Sequence, residues 1–196
     1  MVIGITGGVG SGKSTVLSLL EKEYQAEICM ADELGHEVMR RGGAAYEKIL
    51  ETFGEEVLDQ DGEIHRDTLA KIVYGDSGKL KVLNQIIHPM VLNEMRLRAE
   101  NTKENDILVL ETAILFETGC DEFCDEVWGV ITDNEVRMKR LEESRGYTRE
   151  KALSIMAKQL SNEELQGRCD RVIINDGDAL ALAKELRECM EKVLEK

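Results

Sequence analysis

The run Gly7-Gly8-Val9-Gly10-Ser11-Gly12-Lys13-Ser14-Thr15 holds the densest chemistry in the chain. Its spacing fits G-x-x-x-x-G-K-[ST], a phosphate-binding loop. Gly8, Gly10 and Gly12 allow backbone conformations closed to other residues and, with Ser11 between them, let N–H groups turn inward. Those groups and the start of a following helix attract phosphate oxygens. Lys13 sets a positive charge against the β and γ phosphates of a nucleoside triphosphate. The Ser14 hydroxyl is a ligand for Mg²⁺, and Thr15 opens the helix near the α phosphate.

Two further groups fit phosphoryl chemistry. Between 137 and 158 stand seven basic side chains (Arg137, Lys139, Arg140, Arg145, Arg149, Lys151, Lys158), opposed only by Glu142, Glu143 and Glu150. A local surplus of four positive charges, in a chain of net charge −14, suits a lid that stabilises a moving phosphoryl group. Arg140 and Arg145 are its best single candidates. The alternative is a solvated helix laced with i,i+4 pairs. Asp32 follows a short apolar segment, where a carboxylate could orient or deprotonate an attacking hydroxyl. It could equally cap the helix beginning there. Position alone leaves both open.

The elements that must position these groups follow from periodicity. Val2, Ile3 and Ile5 predict a strand before the loop. Val16, Leu17, Leu19, Leu20 and Tyr24 predict a helix after it. Further strands are expected at 27–30, 107–110, 127–131 and 172–174, and a long amphipathic helix at the end. The stretch from 33 to about 103 reads as helices punctuated at Gly54, Asp61-Gly62 and 75–78. The expected fold is α/β: a P-loop NTPase core with a parallel sheet, a helical substrate-binding insertion and a helical lid. The segments are 1–32, 106–133 and 171–196 for the core, 33–105 for the insertion and 134–170 for the lid.

Composition narrows the classes. The 196 residues fit one domain with attached lobes, and 42% apolar content supports a core. No run approaches the roughly 18 apolar residues of a membrane helix, and no secretory leader is visible. The acidic balance disfavours nucleic acid and anionic membranes. Cys29, Cys120, Cys124, Cys169 and Cys189 form no regular framework, so a reducing, cytoplasmic setting is expected. Cys120 and Cys124 lack the partners a metal site needs.

Among phosphate-loop classes, a GTPase lacks its guanine reader, since Thr102-Lys103-Glu104-Asn105 has no final Asp. A transport ATPase lacks its glycine signature at 160–164, and a helicase would be longer. A small-molecule kinase fits best; a nucleotide-controlled binding protein without transfer activity is the alternative.

The chain also resembles the dephospho-coenzyme A kinase family over nearly its full length. The residues are Ile3-Gly4-Ile5-Thr6 leading into the loop, Ala31-Asp32, Phe53-Gly54, Asp61-Gly62-Glu63-Ile64-His65-Arg66 with Leu69, and His88-Pro89. They continue with Ile114-Leu115-Phe116-Glu117, the lid stretch 140–149, Gln159, and 170–177 with Asn175 and Gly177. The resemblance implies ATP-dependent phosphorylation of the ribose 3′-hydroxyl of dephospho-coenzyme A, the last step of coenzyme A synthesis. It implies ATP as co-substrate with Mg²⁺, and a monomer or weak homo-oligomer. Asp32 matches the family's general base. Lys13 and Arg140 would stabilise the transferred group, Arg145 and Asn175 would join the nucleotide site, and Arg66, His88 and Glu117 would face the substrate. Taken singly, His88 before a proline reads as a structural residue at a helix start. Arg66 reads as a surface charge and Glu117 as half of an ion pair. Three positions depart from the family pattern. Ala113 stands where many members carry proline. Ile155 stands where some carry arginine, a charge Lys158 or Arg168 can supply. Glu111 adds a carboxylate at the end of the third strand.

Overall fold

The structure, a computed structural model, describes residues 1–194; the last two residues of the segment 171–196 assigned to the core lie outside them. The chain forms two compact units, one of residues 1–29 with residues 99 onward, the other of residues 30–98.

The first unit is built on a sheet. Strands β1 (Val2–Thr6), β2 (Glu27–Met30), β3 (Leu108–Glu111), β4 (Glu126–Ile131) and β5 (Arg171–Ile174) lie in the order β2-β3-β1-β4-β5. The ladders around β1 are parallel: Ile3 faces Val109 on one side and Glu126 on the other, and β4 aligns Trp128 with Arg171. Strands of a parallel sheet are covered on both faces, so they read as unbroken apolar runs rather than alternating ones. Every residue of β1 and of β4 is buried. Gly4, in the middle of β1, permits a close approach: a Cβ there would lie 2.7 Å from Cys124 Sγ and 2.9 Å from Leu115 Cδ1. Helix α1 (Lys13–Tyr24) leaves the loop and stops at Gln25, whose φ of 55° is left-handed and whose N–H donates to the Leu20 carbonyl.

The four expected later strands are present. The third begins at Leu108 rather than Ile107, although the Ile107 carbonyl already accepts the Glu27 N–H. The segment after β3 makes α6 (Leu115–Thr118) and a short turn at Cys120–Phe123. After β4 come α7 (Asn134–Arg145), α8 (Arg149–Met156) and α9 (Asn162–Arg168), and α10 (Ala179–Leu194) follows β5. Local signals set these ends. Asp133 caps α7 by accepting the Glu135 and Val136 N–H groups. Thr148 caps α8, and Ser161 with Glu164 forms a capping box on α9.

The second unit consists of α2 (Ala31–Met39), α3 (Tyr46–Phe53), α4 (Arg66–Tyr74) and most of α5 (Ser77–Asn101). Gly54, at φ 82°, ends α3, and its N–H returns to the Leu50 carbonyl. Two expectations are corrected here. Asp32 is not a helix cap: Met30 is the cap residue, with no side-chain bond, and Asp32 lies inside the first turn of α2. A carboxylate there is favoured by the helix dipole without capping anything. His88 does not start a helix, because α5 runs through Pro89. Proline removes one backbone bond, but buried Leu83, Ile86, Val91 and Met95 continue the apolar stripe across it and hold the helix together.

One polar group inside the sheet is tightly satisfied. Glu126 accepts Arg171 Nε at 2.6 Å, Arg171 Nη2 at 3.0 Å and the Trp128 indole N–H at 3.0 Å. It ties β5 to β4 at the aligned Trp128–Arg171 position. Removing one member of such a pair strands the other. Glu126→Ala is therefore expected to lose about 3 kcal/mol of unfolding free energy in urea titration, while Glu126→Leu with Arg171→Met recovers most of it.

Candidate active site

The glycine loop lies between β1 and α1, and its shape follows from left-handed backbone. Gly10 has φ 79° and Gly12 has φ 89°. Within the loop, Ser11 N–H donates to the Gly8 carbonyl at 3.1 Å, and the Thr15 and Val16 N–H groups donate to the Gly12 carbonyl. Gly12 caps α1 without any side-chain bond, and the first turn of α1 carries no acid. A helix start left that way favours an external anion.

Two side chains pin the loop from the strand ends. Thr132 directly follows β4, and its hydroxyl is shared between the Ser11 carbonyl at 3.0 Å and the Asn175 carbonyl at 3.1 Å. Asn175 directly follows β5, and its Nδ2 donates to the same Ser11 carbonyl at 2.8 Å. Asn162 fixes Thr132 in turn through its carbonyl, at 2.9 Å. From the helical segments, the Gln159 carboxamide oxygen accepts the Val9 N–H at 2.9 Å, and Arg137 Nε donates to the Val9 carbonyl at 3.0 Å. Val9 also packs against the small apolar cluster of Met138, Leu141 and Ala152, with Tyr147 and Met156.

Lys13 Nζ donates to the Gly7 carbonyl at 2.8 Å and lies 3.5 Å from Glu111 Oε1. Arg140 Nη2 donates to the Asn175 carbonyl at 3.0 Å. Two buried polar atoms here have no partner: Ser11 Oγ and Arg140 Nη1. Leaving a buried polar group unpaired costs about 1–3 kcal/mol. Both can donate, so an anion seated in the loop is the chemistry that would satisfy them.

The basic stretch divides. Arg149 forms a two-pronged bond with Glu135 at 3.1 and 2.8 Å, which lowers the Glu135 pKa and raises that of Arg149. Lys139 lies 3.9 Å from Glu143, an i,i+4 pair of the bland kind. Lys151 sits 3.9 Å over the Tyr147 ring and Arg145, exposed at the end of α7, 6.0 Å from it. Arg168 lies 4.1 Å over the Phe116 ring. Only part of the surplus charge is thus directed at the loop.

The expected site residues fall in both units. Gly8, Gly10, Ser11, Gly12, Lys13, Ser14, Thr15, Arg140 and Asn175 gather around the loop in the first unit, with Ser14 and Thr15 exposed on the opening turn of α1. Glu117 is exposed on α6. Asp32, Arg66 and His88 belong to the second unit, on α2, α4 and α5, all three exposed. No hydrogen bond or ion pair joins those three among the described residues. His88 and Pro89 line an open groove of about 470 Å³ with Leu80, Lys81, Asn84 and Gln85.

Sequence reasoning gave no role to Thr132, Asn162 or Gln159, which hold the loop, and grouped Arg137 with a mobile lid. Thr132 had a usable signal: the first polar residue directly after the apolar run 127–131. Asn175, expected at the nucleotide site, lies beside the loop and donates its amide to the Ser11 carbonyl.

The loop makes a testable demand on Gly12. A Cβ there would lie 2.1 Å from Asn175 Nδ2, on top of the left-handed φ. Gly12→Ala is expected to weaken triphosphate binding at least about tenfold, the equivalent of ~1.4 kcal/mol, by titration calorimetry.

Comparison with known proteins bears on this arrangement. A family model for dephospho-CoA kinase matches residues 1–181. A protein of Carboxydothermus hydrogenoformans named dephospho-CoA kinase is 37% identical over 193 residues, covering 97% of this chain and 93% of its own. One of Fusobacterium nucleatum with the same name is 38% identical over 194 residues, covering 98% of each. Among solved structures, dephospho-CoA kinase from Campylobacter jejuni superposes with a TM-score of 0.70 at 21% identity, over 98% of this chain and 96% of that one. Shikimate kinase from Acinetobacter baumannii superposes at 0.56 and 18%, over 99% and 93%. Those two share the fold: an α/β sheet carrying a phosphate loop. With a whole-length family match and relatives well above 30% identity, the chain belongs to the dephospho-CoA kinase family.

Proposed function

We propose that this kinase transfers the γ-phosphoryl group of ATP to the ribose 3′-hydroxyl of dephospho-coenzyme A, in the cytoplasm, as a monomer or weak homo-oligomer that binds neither nucleic acid nor membrane. Family membership supports the substrate. The observation that carries the phosphate half is the pair of buried, unpartnered donors, Ser11 Oγ and Arg140 Nη1, at an uncapped helix start. The acidic balance of −14 supports the lack of nucleic-acid or anionic-membrane partners. No helix among the described residues is long and apolar enough to cross a membrane.

The chemistry follows from named groups. The 3′-oxygen attacks the γ-phosphorus, the bond to the β-phosphate oxygen breaks, and ADP departs. The hydroxyl proton passes to Asp32, whose exposed carboxylate sits two residues past β2; in open parallel sheets, ligands bind beyond the C-terminal strand ends. Gly8, Gly10, Ser11, Gly12 and Thr15 cradle the phosphates, with Arg145 and Asn175 at the nucleotide. Lys13 and Arg140 stabilise the charge on the group in flight. Arg66, His88 and Glu117 orient the acceptor. Residues 134–170 act as the lid, 33–105 as the acceptor lobe.

Mg²⁺ would supply charge neutralisation between the phosphates. The donors available to it are the Ser14 hydroxyl and the carboxylates of Glu111 and Glu117, all hard oxygens. Magnesium commonly takes one or two carboxylates plus substrate phosphates rather than a dedicated cage.

A coupled assay of ADP release decides the acceptor. Turnover is expected with dephospho-coenzyme A and not with nucleoside monophosphates or sugars; turnover only with one of the latter overturns the reading. Asp32→Asn is expected to keep ATP binding and to lower kcat by about 10² to 10⁴. A kcat near wild type would remove Asp32 from the chemistry. Lys13→Ala is expected to weaken triphosphate binding and transfer together.

A further inference from the structure

Arg137 is 3% exposed, yet its guanidinium meets only neutral acceptors: the Val9 carbonyl at 3.0 Å, Gln159 Oε1 at 3.3 Å and Asn134 Oδ1 at 3.4 Å. Among the described residues, no carboxylate lies within ion-pairing distance of it. Burial pulls its pKa below the ordinary arginine range, with no acid acting to raise it. Three other basic groups of this unit have acid partners: Arg171 has Glu126, Lys13 has Glu111 and Arg149 has Glu135. A buried charge without an anion is costly, and a fold retains it only where something else compensates.

Its location says what compensates. The guanidinium lies directly against the phosphate loop: a Cβ on Gly8 would stand 2.1 Å from Nη2 and 2.6 Å from Cζ. Gly8 thus admits the arginine, and the arginine with Gln159 takes both the C=O and the N–H of Val9. Such a residue is fixed behind the loop, unlike a lid arginine that swings over it.

We propose that Arg137 is a positioning residue for the triphosphate: it locks the Val9 peptide and stores an uncompensated positive charge behind Gly8 and Val9 that bound phosphate neutralises. The proposal rests on the reading of the loop as the ATP site. Its consequence is a trade of stability in the nucleotide-free protein for affinity in the bound one.

The test measures both sides of that trade on the full chain, with inorganic tripolyphosphate and ATP as probes. Arg137→Met is expected to leave the nucleotide-free melting midpoint within about 3 °C of wild type or above it. It should raise the Kd of both probes about 10- to 100-fold, with the loss in turnover falling in KM for ATP rather than in kcat. Gln159→Glu places the missing carboxylate beside Arg137 without removing it. It covers the case in which the methionine variant fails to fold, and is expected to raise the midpoint while weakening tripolyphosphate. A lower midpoint with unchanged Kd for tripolyphosphate, in either variant, makes Arg137 merely structural and overturns the proposal. Failure of the wild-type chain itself to bind tripolyphosphate and ATP would instead overturn the reading of the loop.

Discussion

The carbonyl of Ser11 is the point on which the site depends. It accepts the Thr132 hydroxyl and the Asn175 amide, each one residue beyond the end of a sheet strand. The sheet thereby dictates the path of a left-handed backbone. A loop with glycines at φ 79° and 89° has no ladder of its own to hold it. Without those two bonds, the N–H groups of the loop would lose the preorganisation that makes them worth more than water to a phosphate. The Glu126–Arg171 pair serves the same end, fixing β5 beside β4 so that Asn175 and Thr132 emerge together.

Polarity around the loop is ordered by purpose. Polar groups with partners hold the backbone: Thr132 and Asn175 as donors, Gln159 as an acceptor. Donors without partners, Ser11 Oγ and Arg140 Nη1, are kept ready for a ligand. Lys13 is balanced by Glu111, so the lysine's charge is held in place by a carboxylate of the third strand. Arg137 has no such balance. In the proposed site, an acidic chain meets a polyanion through a few positive groups placed at the loop rather than through its surface as a whole.

Much of this was legible in the sequence because it is local. Five short apolar runs gave five strands, and the glycine spacing gave the loop, since both patterns act within a few residues. What failed was the reading of side chains whose role is set by tertiary neighbours. Asp32 and His88 carry cap-like and start-like contexts, yet α2 begins two residues earlier than a cap at Asp32 requires, and α5 passes through Pro89 because its buried stripe continues on both sides. The charge count at 137–158 was correct as a sum. It said nothing of which cations Glu135 and Glu143 neutralise, or that Arg137 turns inward. Gln159 and Thr132 bond to the loop across 150 and 121 residues of sequence, a relation that no periodicity carries.

The central claim is that the loop's phosphate chemistry serves a ribose hydroxyl. Phosphorus NMR of the product formed from ATP and dephospho-coenzyme A tests it most directly. The account predicts a new phosphomonoester resonance with scalar coupling to the ribose H3′ proton, appearing together with ADP. A phosphate on another position, or ADP accompanied only by inorganic phosphate, would contradict it.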